Sequence, residues 1–273
     1  MARTHPGLSA PGFEESRDFV QSLARGLSVL RAFDAEHSTL SLAGIAVRTG
    51  LSRAAARRLV LTLQHLGYVR PHGREYSLSP RVLELGFGCL ESLKLTDLAQ
   101  PLIEQLAHRL NHSCSMAVLD GQSIVYVLRV PVRRVMTVAL GVGARLPAFC
   151  ASMGRVLLSG LSEADLRTWL GSCRPSRHTP HTVTDMRRLR RIIEAARTDG
   201  YAYVEQELEL GLCSLAVPVH DRERRVIAAL NASMPYHADV SRHALKDVLP
   251  QLRATAHAVE RALPPGTLPP VSL

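Results

Sequence analysis

The sequence predicts an α+β protein in two parts, a helical N-terminal module closed by a hairpin and a larger domain built on an antiparallel sheet. Three observations predict it. In the first part of the chain apolar residues recur at three- and four-residue spacing, the period of a helix with one buried face. From Cys114 onward the period shortens to that of strands, with Asp120-Gly121 as a hairpin turn. The length, 273 residues, is enough for two domains that each bury a core.

The elements follow in order. SLARGLSVLRAFDAE (22–36) sets Leu23, Leu27, Leu30 and Phe33 on one stripe of a helix, with Ser22 as its cap. SLAGIAVRTG (41–50) is a shorter helix, capped by Ser41, with Leu42, Ile45 and Ala46 inward and Gly50 at its end. The turn Thr49-Gly50-Leu51 leads to Ser52, the cap of a third helix. At about 100° per residue, GLSRAAARRLVLTLQHL (50–66) gathers Ala55, Ala56, Leu59, Val60, Leu63 and Leu66 in one arc. Arg53, Arg57, Arg58, Gln64 and His65 take the other side. Two helices joined by so short a turn containing glycine form a helix-turn-helix. After Gly67, YVRPHGREYSLSP reads as two strands around His72-Gly73, a wing.

PRVLELGFGCLESLKL (80–95) has helical spacing at Val82, Leu85 and Cys89, and Gly86 and Gly88 soften it into a bent linker helix. Another helix is expected over 96–110, then the hairpin CSMAVLDGQSIVYVLRV. GLCSLAVPVH and RVIAALNAS are two further strands around the turn Asp221–Arg224. Helices are expected over 151–160, 162–170, 185–198 and 241–262.

Charge is unevenly placed. The net charge is +9, and between His37 and Arg81 stand seven arginines and one acid, Glu75. A solvated surface helix usually mixes both signs; the third helix carries no acid at all. Such a face fits double-stranded DNA. Arg53 and Arg57 would enter the major groove, where an arginine fork binds guanine O6 and N7 together. Ser52 stands beside them at the helix start, and Arg58, near the edge of the apolar arc, either clamps a phosphate or covers the core. Arg70, His72 and Arg74 of the wing would meet phosphate or the minor groove.

These residues resemble a family. LARGLSVLRAF, LAGIAVRTGLSRAAARRLVLTLQHLGYV and the wing are similar to the DNA-binding module of the isocitrate-lyase-regulator (IclR) family of bacterial transcription factors. ARLPAFCASMGRVLLSGL, TPHTVTD, DGYAYVEQELELGLCSLAVPV and AALNAS resemble the family's effector-domain signatures, in order, so the resemblance spans about Ser22 to Leu263. LPAFCASMGRVLL with VEQELELGL looks most like the branch governing β-ketoadipate and protocatechuate catabolism. Ala54-Ala55-Ala56 departs from relatives, which often carry threonine and a β-branched residue there, and so bears on the operator sequence.

The resemblance implies a second domain of GAF type that binds a small molecule, and homodimers that pair into tetramers. The expected organisation is a flexible tail (1–16), a winged helix-turn-helix (17–80), a linker helix (81–96), an effector-binding domain (97–263) and a C-terminal tail (264–273). The helix starting near Ala151 or Ser152 is a carboxylate site in principle, since helix N-termini carry free N–H groups. By sequence alone an ordinary capped core helix is the favoured reading. By resemblance, Leu146, Phe149, Ser152, Met153, Glu205, Ser214, Asn231 and Ser233 line the effector pocket, with Arg133, Arg134 or Arg145 as cations for an acidic ligand. An aromatic acid such as protocatechuate, or its ring-cleavage product, suits this mixture of few polar groups and apolar walls.

Other classes fare worse. GxSxG, P-loop and HExxH motifs are absent, and GFGCLE and GVGARL lack the third glycine of a dinucleotide fingerprint. No enzyme, cofactor or metal is therefore expected, the pairs His108/His112 and His178/His181 being read as surface residues. A ligand-independent architectural DNA-binding protein is the alternative. The N-terminus lacks a signal-peptide core, no apolar run reaches membrane-span length, and five cysteines form no CxxC. A reduced, cytoplasmic protein is expected.

Overall fold

The computed structural model describes residues 13–34, 36–85, 95–132 and 141–263. The chain divides into two compact units, Met1–Gly88 and Cys89–Leu273. Arg133, Arg134, most of the expected linker helix and both termini lie outside the described residues.

The first unit holds α1 (Gln21–Arg31), α2 (Leu42–Thr49) and α3 (Arg53–His65). Its start and stop signals act as the residues predict. Ser41 Oγ accepts from the Gly44 amide, Ser52 Oγ accepts from the Ala55 amide, and Gly50 closes α2 in the left-handed conformation at φ +68°. Ser22 is no cap, because α1 begins one residue earlier, after Val20, without a side-chain cap. The wing strands β2 (Val69–His72) and β3 (Glu75–Leu78) pair His72 opposite Glu75 across a turn with Gly73 at φ +62°. A two-residue strand, β1 (Thr39–Leu40), adds to β3 and was not foreseen.

Val29, Ala32, Phe33, Ile45, Ala56, Val60 and Leu63 form this unit's core. The expected stripe of α1 holds at Leu30 and Phe33 and is corrected at Leu23 and Leu27, which are 63% and 41% exposed while the helix turns Val29 inward. Leu66 leaves the buried arc of α3 as well, because it is the C-cap where the chain turns away toward Gly67. Arg48 is structural. It donates to the Ala32 carbonyl (2.8 Å) and to Asp34 Oδ2 (2.6 Å), tying α2 to the end of α1.

The described start of the expected linker helix is a short 3-10 turn, Pro80–Leu83, opened by Ser79, and residues 84–85 continue it as helix. The second unit contains α4 (Leu95–Leu110) and a six-stranded antiparallel sheet. Its strands are β4 (Ser113–Asp120), β5 (Ser123–Val130), β6 (Arg145–Pro147), β7 (Ala202–Glu205), β8 (Leu212–His220) and β9 (Val226–Pro235), in the order β6-β5-β4-β9-β8-β7. The helices are α5 (Ser152–Ser159), α6 (Glu163–Ser172), α7 (Met186–Asp199), α8 (Val240–His243) and α9 (Leu249–Ala262). One face of the sheet packs α4 and α9 through Ile103, Met116, Leu230 and Leu252. The other packs α5 to α7 through Tyr126, Val156, Trp169 and Ile193. Alternation along each strand divides its side chains between these two cores.

Candidate effector cavity and basic face

On α3 the side chains of Arg53, Arg57 and Arg58 are exposed beside Ser52, and Arg70, His72 and Arg74 are exposed on the wing. None of these arginines has a carboxylate partner among the described residues. Arg48 and Arg81, by contrast, are held by Asp34 and Glu84. Cationic side chains kept free of acids on a recognition helix and a hairpin tip are what a phosphate-rich partner requires.

A second feature lies under α5. Here β6 runs extended through Pro147, turns through the 3-10 segment Ala148–Cys150, and enters α5 after Ala151, which provides no side-chain cap. The first turn of any α-helix leaves N–H groups without intrahelical partners. This approach is tight: a Cβ on Gly154 would lie 2.0 Å from the Ala148 carbonyl oxygen. Glycine is required there by the neighbouring backbone rather than by its own conformation.

A cavity of about 20 Å³ opens beside this helix start, room for little more than one water molecule. Leu146, Cys150, Ala151, Ser152 and Met153 line it from the β6–α5 segment, and Tyr126 from β5. Val204, Glu207, Leu208 and Leu212 enclose another side, and Ser214, Asn231 and Ser233 belong to the sheet. Ser214 and Ser233 face each other across β8 and β9, and Ser214 Oγ donates to Ser152 Oγ at 2.8 Å, joining sheet to helix start. Burial pushes the Tyr126 phenol and the Cys150 thiol up to about 12 each, so both walls stay neutral at physiological pH.

The charges at the cavity are internally matched. Glu207 forms two 2.8 Å contacts with Arg155, whose Nε donates to the Phe149 carbonyl at 3.1 Å. Arg155 is 2% exposed, and the Glu207 side chain 8%. The Val183 amide donates to Glu207 Oε2 (2.9 Å), while Thr182 donates to the Glu207 carbonyl and Thr179 to the Gln206 carbonyl, each at 2.6 Å. TPHTVTD is thus a clamp on the loop after β7.

Six of the eleven residues expected at the pocket therefore meet around one cavity: Leu146, Ser152, Met153, Ser214, Asn231 and Ser233. Phe149 is buried behind it, stacked on His178. Glu205 is directed elsewhere, accepting from the Tyr203 hydroxyl at 3.0 Å, and Glu207 lines the cavity instead. Arg133 and Arg134 lie outside the described residues. Arg145 is spent on Asp120, bonding both its carboxylate and its carbonyl oxygen. Tyr126, Glu207 and Arg155 were missed from sequence. Arg129 was too; it lies over the Tyr126 ring and reaches Ser115 Oγ.

Comparison with known proteins matches residues 22–73 to the IclR helix-turn-helix domain and residues 87–261 to the bacterial transcriptional regulator IclR C-terminal family. The Pca regulon regulatory protein of Pseudomonas putida is 43% identical over 229 residues, covering 84% of this chain and 79% of that protein. An IclR homolog from Microbacterium hydrocarbonoxydans, solved with 4-hydroxybenzoate, is 28% identical with a TM-score of 0.78, covering 88% of this chain and 98% of that one. The inducer-binding domain of an Acinetobacter PobR double mutant, solved with 3-hydroxybenzoic acid, is 32% identical with a TM-score of 0.58, covering 61% of this chain and 98% of that one.

Proposed function

The chain belongs to the IclR family of bacterial transcriptional regulators, and from that premise we propose that an aromatic carboxylate, such as protocatechuate or its ring-cleavage product, binds at the start of α5 and controls operator binding. The cavity carries this reading. Its polar groups are an uncapped helix start and the hydroxyls of Ser152, Ser214 and Ser233, its walls are apolar, and its ion pair is already neutralised. A helix N-terminus with hydroxyls orients a carboxylate without a free cation. A sugar phosphate would want several convergent cations. Two relatives were solved with hydroxybenzoates, which fits the same class of ligand.

In this reading the protein works as a regulator, and the cavity thiol and phenol, kept protonated by burial, serve as neutral walls. Operator DNA sets its place of work in the bacterial cytoplasm. One recognition helix reads only a few base pairs, so a homodimer reading two half-sites is inferred, with tetramers as pairs of dimers. Arg53 and Arg57 read bases, while Arg70, His72 and Arg74 hold the backbone of the duplex.

The test is calorimetry of the full chain with protocatechuate, hydroxybenzoates and ring-cleavage acids, wild type against Ser214→Ala, followed by an operator-shift assay with any acid that binds. Binding that weakens in the variant and changes operator affinity is expected. An operator complex indifferent to every acid, with no heat of binding, would leave the architectural DNA-binding alternative.

A further inference from the structure

Asn231 stands in the middle of β9, opposite Ser115 of β4 and Ala216 of β8, and is 3% exposed. Its Nδ2 donates to Ser233 Oγ at 3.3 Å. Its Oδ1 has no hydrogen-bond partner, the one buried side-chain polar atom so placed among the described residues, and the residue lines the cavity. A buried carbonyl left unpaired opposes folding, and native proteins seldom keep one without a use. Alanine would avoid that cost, and Ala229 and Ala232 on the same strand are fully buried. The neighbours leave it unpaired: Ala216 is apolar, Ser214 donates to Ser152, Ser233 faces the amide nitrogen, and Ser115, which accepts from Arg129, makes no bond to Oδ1.

We infer that Asn231 Oδ1 is the specificity-determining acceptor of the cavity, taking the hydrogen of a hydroxyl carried on the effector's ring. The chain then selects hydroxylated aromatic acids and rejects those without a donor at that place. This rests on the aromatic-carboxylate reading above. The two ends of such a ligand need different partners, and the protein presents them on different elements: N–H groups and hydroxyls at the start of α5 for the carboxylate, a bare carbonyl on β9 for the hydroxyl. A ring hydroxyl is a phenol, and an enclosed site with apolar walls keeps it in the neutral, donating form. Sites built around a buried group that needs a ligand hydroxyl discriminate strongly against analogues lacking it, because the protein atom is then left unpaired in the complex.

The experiment is calorimetry on the full chain with 3-hydroxybenzoate, 4-hydroxybenzoate, protocatechuate, benzoate and 4-methoxybenzoate, for wild type and Asn231→Ala. Wild type is expected to favour its best hydroxylated acid over benzoate and over 4-methoxybenzoate, which accepts but cannot donate, by about tenfold or more. In Asn231→Ala that ratio should collapse to about threefold or less, through weaker binding of the hydroxylated acid. Wild type binding benzoate or 4-methoxybenzoate as tightly as the hydroxylated acids overturns the inference, as does a folded variant that keeps the full ratio. Should the variant fail to fold, the wild-type ratio decides alone. Wild type binding none of the five removes the aromatic-carboxylate reading and this inference with it, whereas binding without discrimination removes only the role of Asn231.

Discussion

Arg57 and Arg74 are both exposed and both free of acids, yet they stand on elements that meet DNA differently. Arg57→Ala is expected to weaken specific operator binding by about 1–3 kcal/mol, mainly through lost base discrimination. Arg74→Ala should weaken specific and non-specific DNA alike and lower the salt slope by about one. Titrations on operator and random DNA at several salt concentrations separate the two; an unchanged Arg57→Ala affinity at physiological salt would remove α3 from base readout. Glu207 illustrates what one residue conceals in sequence. In VEQELELGL it looks like part of a surface acidic run, and strand alternation from Val204 would bring position 206 inward. Gln206 instead adopts φ +55°, which breaks the alternation and swings Glu207 onto the buried Arg155. No local pattern announces a left-handed glutamine. Because removing one partner strands the other charge, Glu207→Ala should cost about 3–5 kcal/mol in urea unfolding.

At the scale of elements, what could be read was what is local. The caps Ser41 and Ser52, the stop at Gly50, the wing and the long strands follow from neighbouring residues alone. Strand β1 is two residues long and exists only because β3 pairs with it, so nothing in its own sequence marks it. The α1 stripe was legible as a stripe but not as to its cover, since an apolar helix face looks the same whether it meets its own core or a partner. Contacts also constrain α5, where Gly154 admits the Ala148 backbone. Gly154→Ala must push the turn off the helix, so it is expected to cost at least about 1–3 kcal/mol by thermal unfolding and to abolish effector binding. The end of α1 carries a pH dependence. The His37 ring, with the His37 amide and Arg48, holds the Asp34 carboxyl down at about 2. A depressed carboxyl stabilises the folded form above its unfolded value and loses that contribution as pH falls through the folded one. Melting curves of wild type should therefore fall between pH 4 and pH 2 relative to Asp34→Asn; parallel curves would show that the network does not matter to stability.

For the whole molecule, Val20, Leu23 and Leu27 are exposed on and beside α1 at 58%, 63% and 41%, which suits a helix that meets a second copy. Leu23→Asp with Leu27→Asp is expected to shift sedimentation equilibrium from dimer toward monomer at micromolar concentration without lowering the helical content; a wild type monomeric with and without operator would contradict the dimer. The cavity has a consequence of another kind, in time. Pockets that enclose small ligands run roughly 300–1,000 Å³, against about 20 Å³ here. A ring fits only once the residues that line the cavity have moved apart. Parting of the walls then caps the pace of the response, however often a molecule arrives. Past a certain abundance of the signal, a cell gains occupancy but no speed.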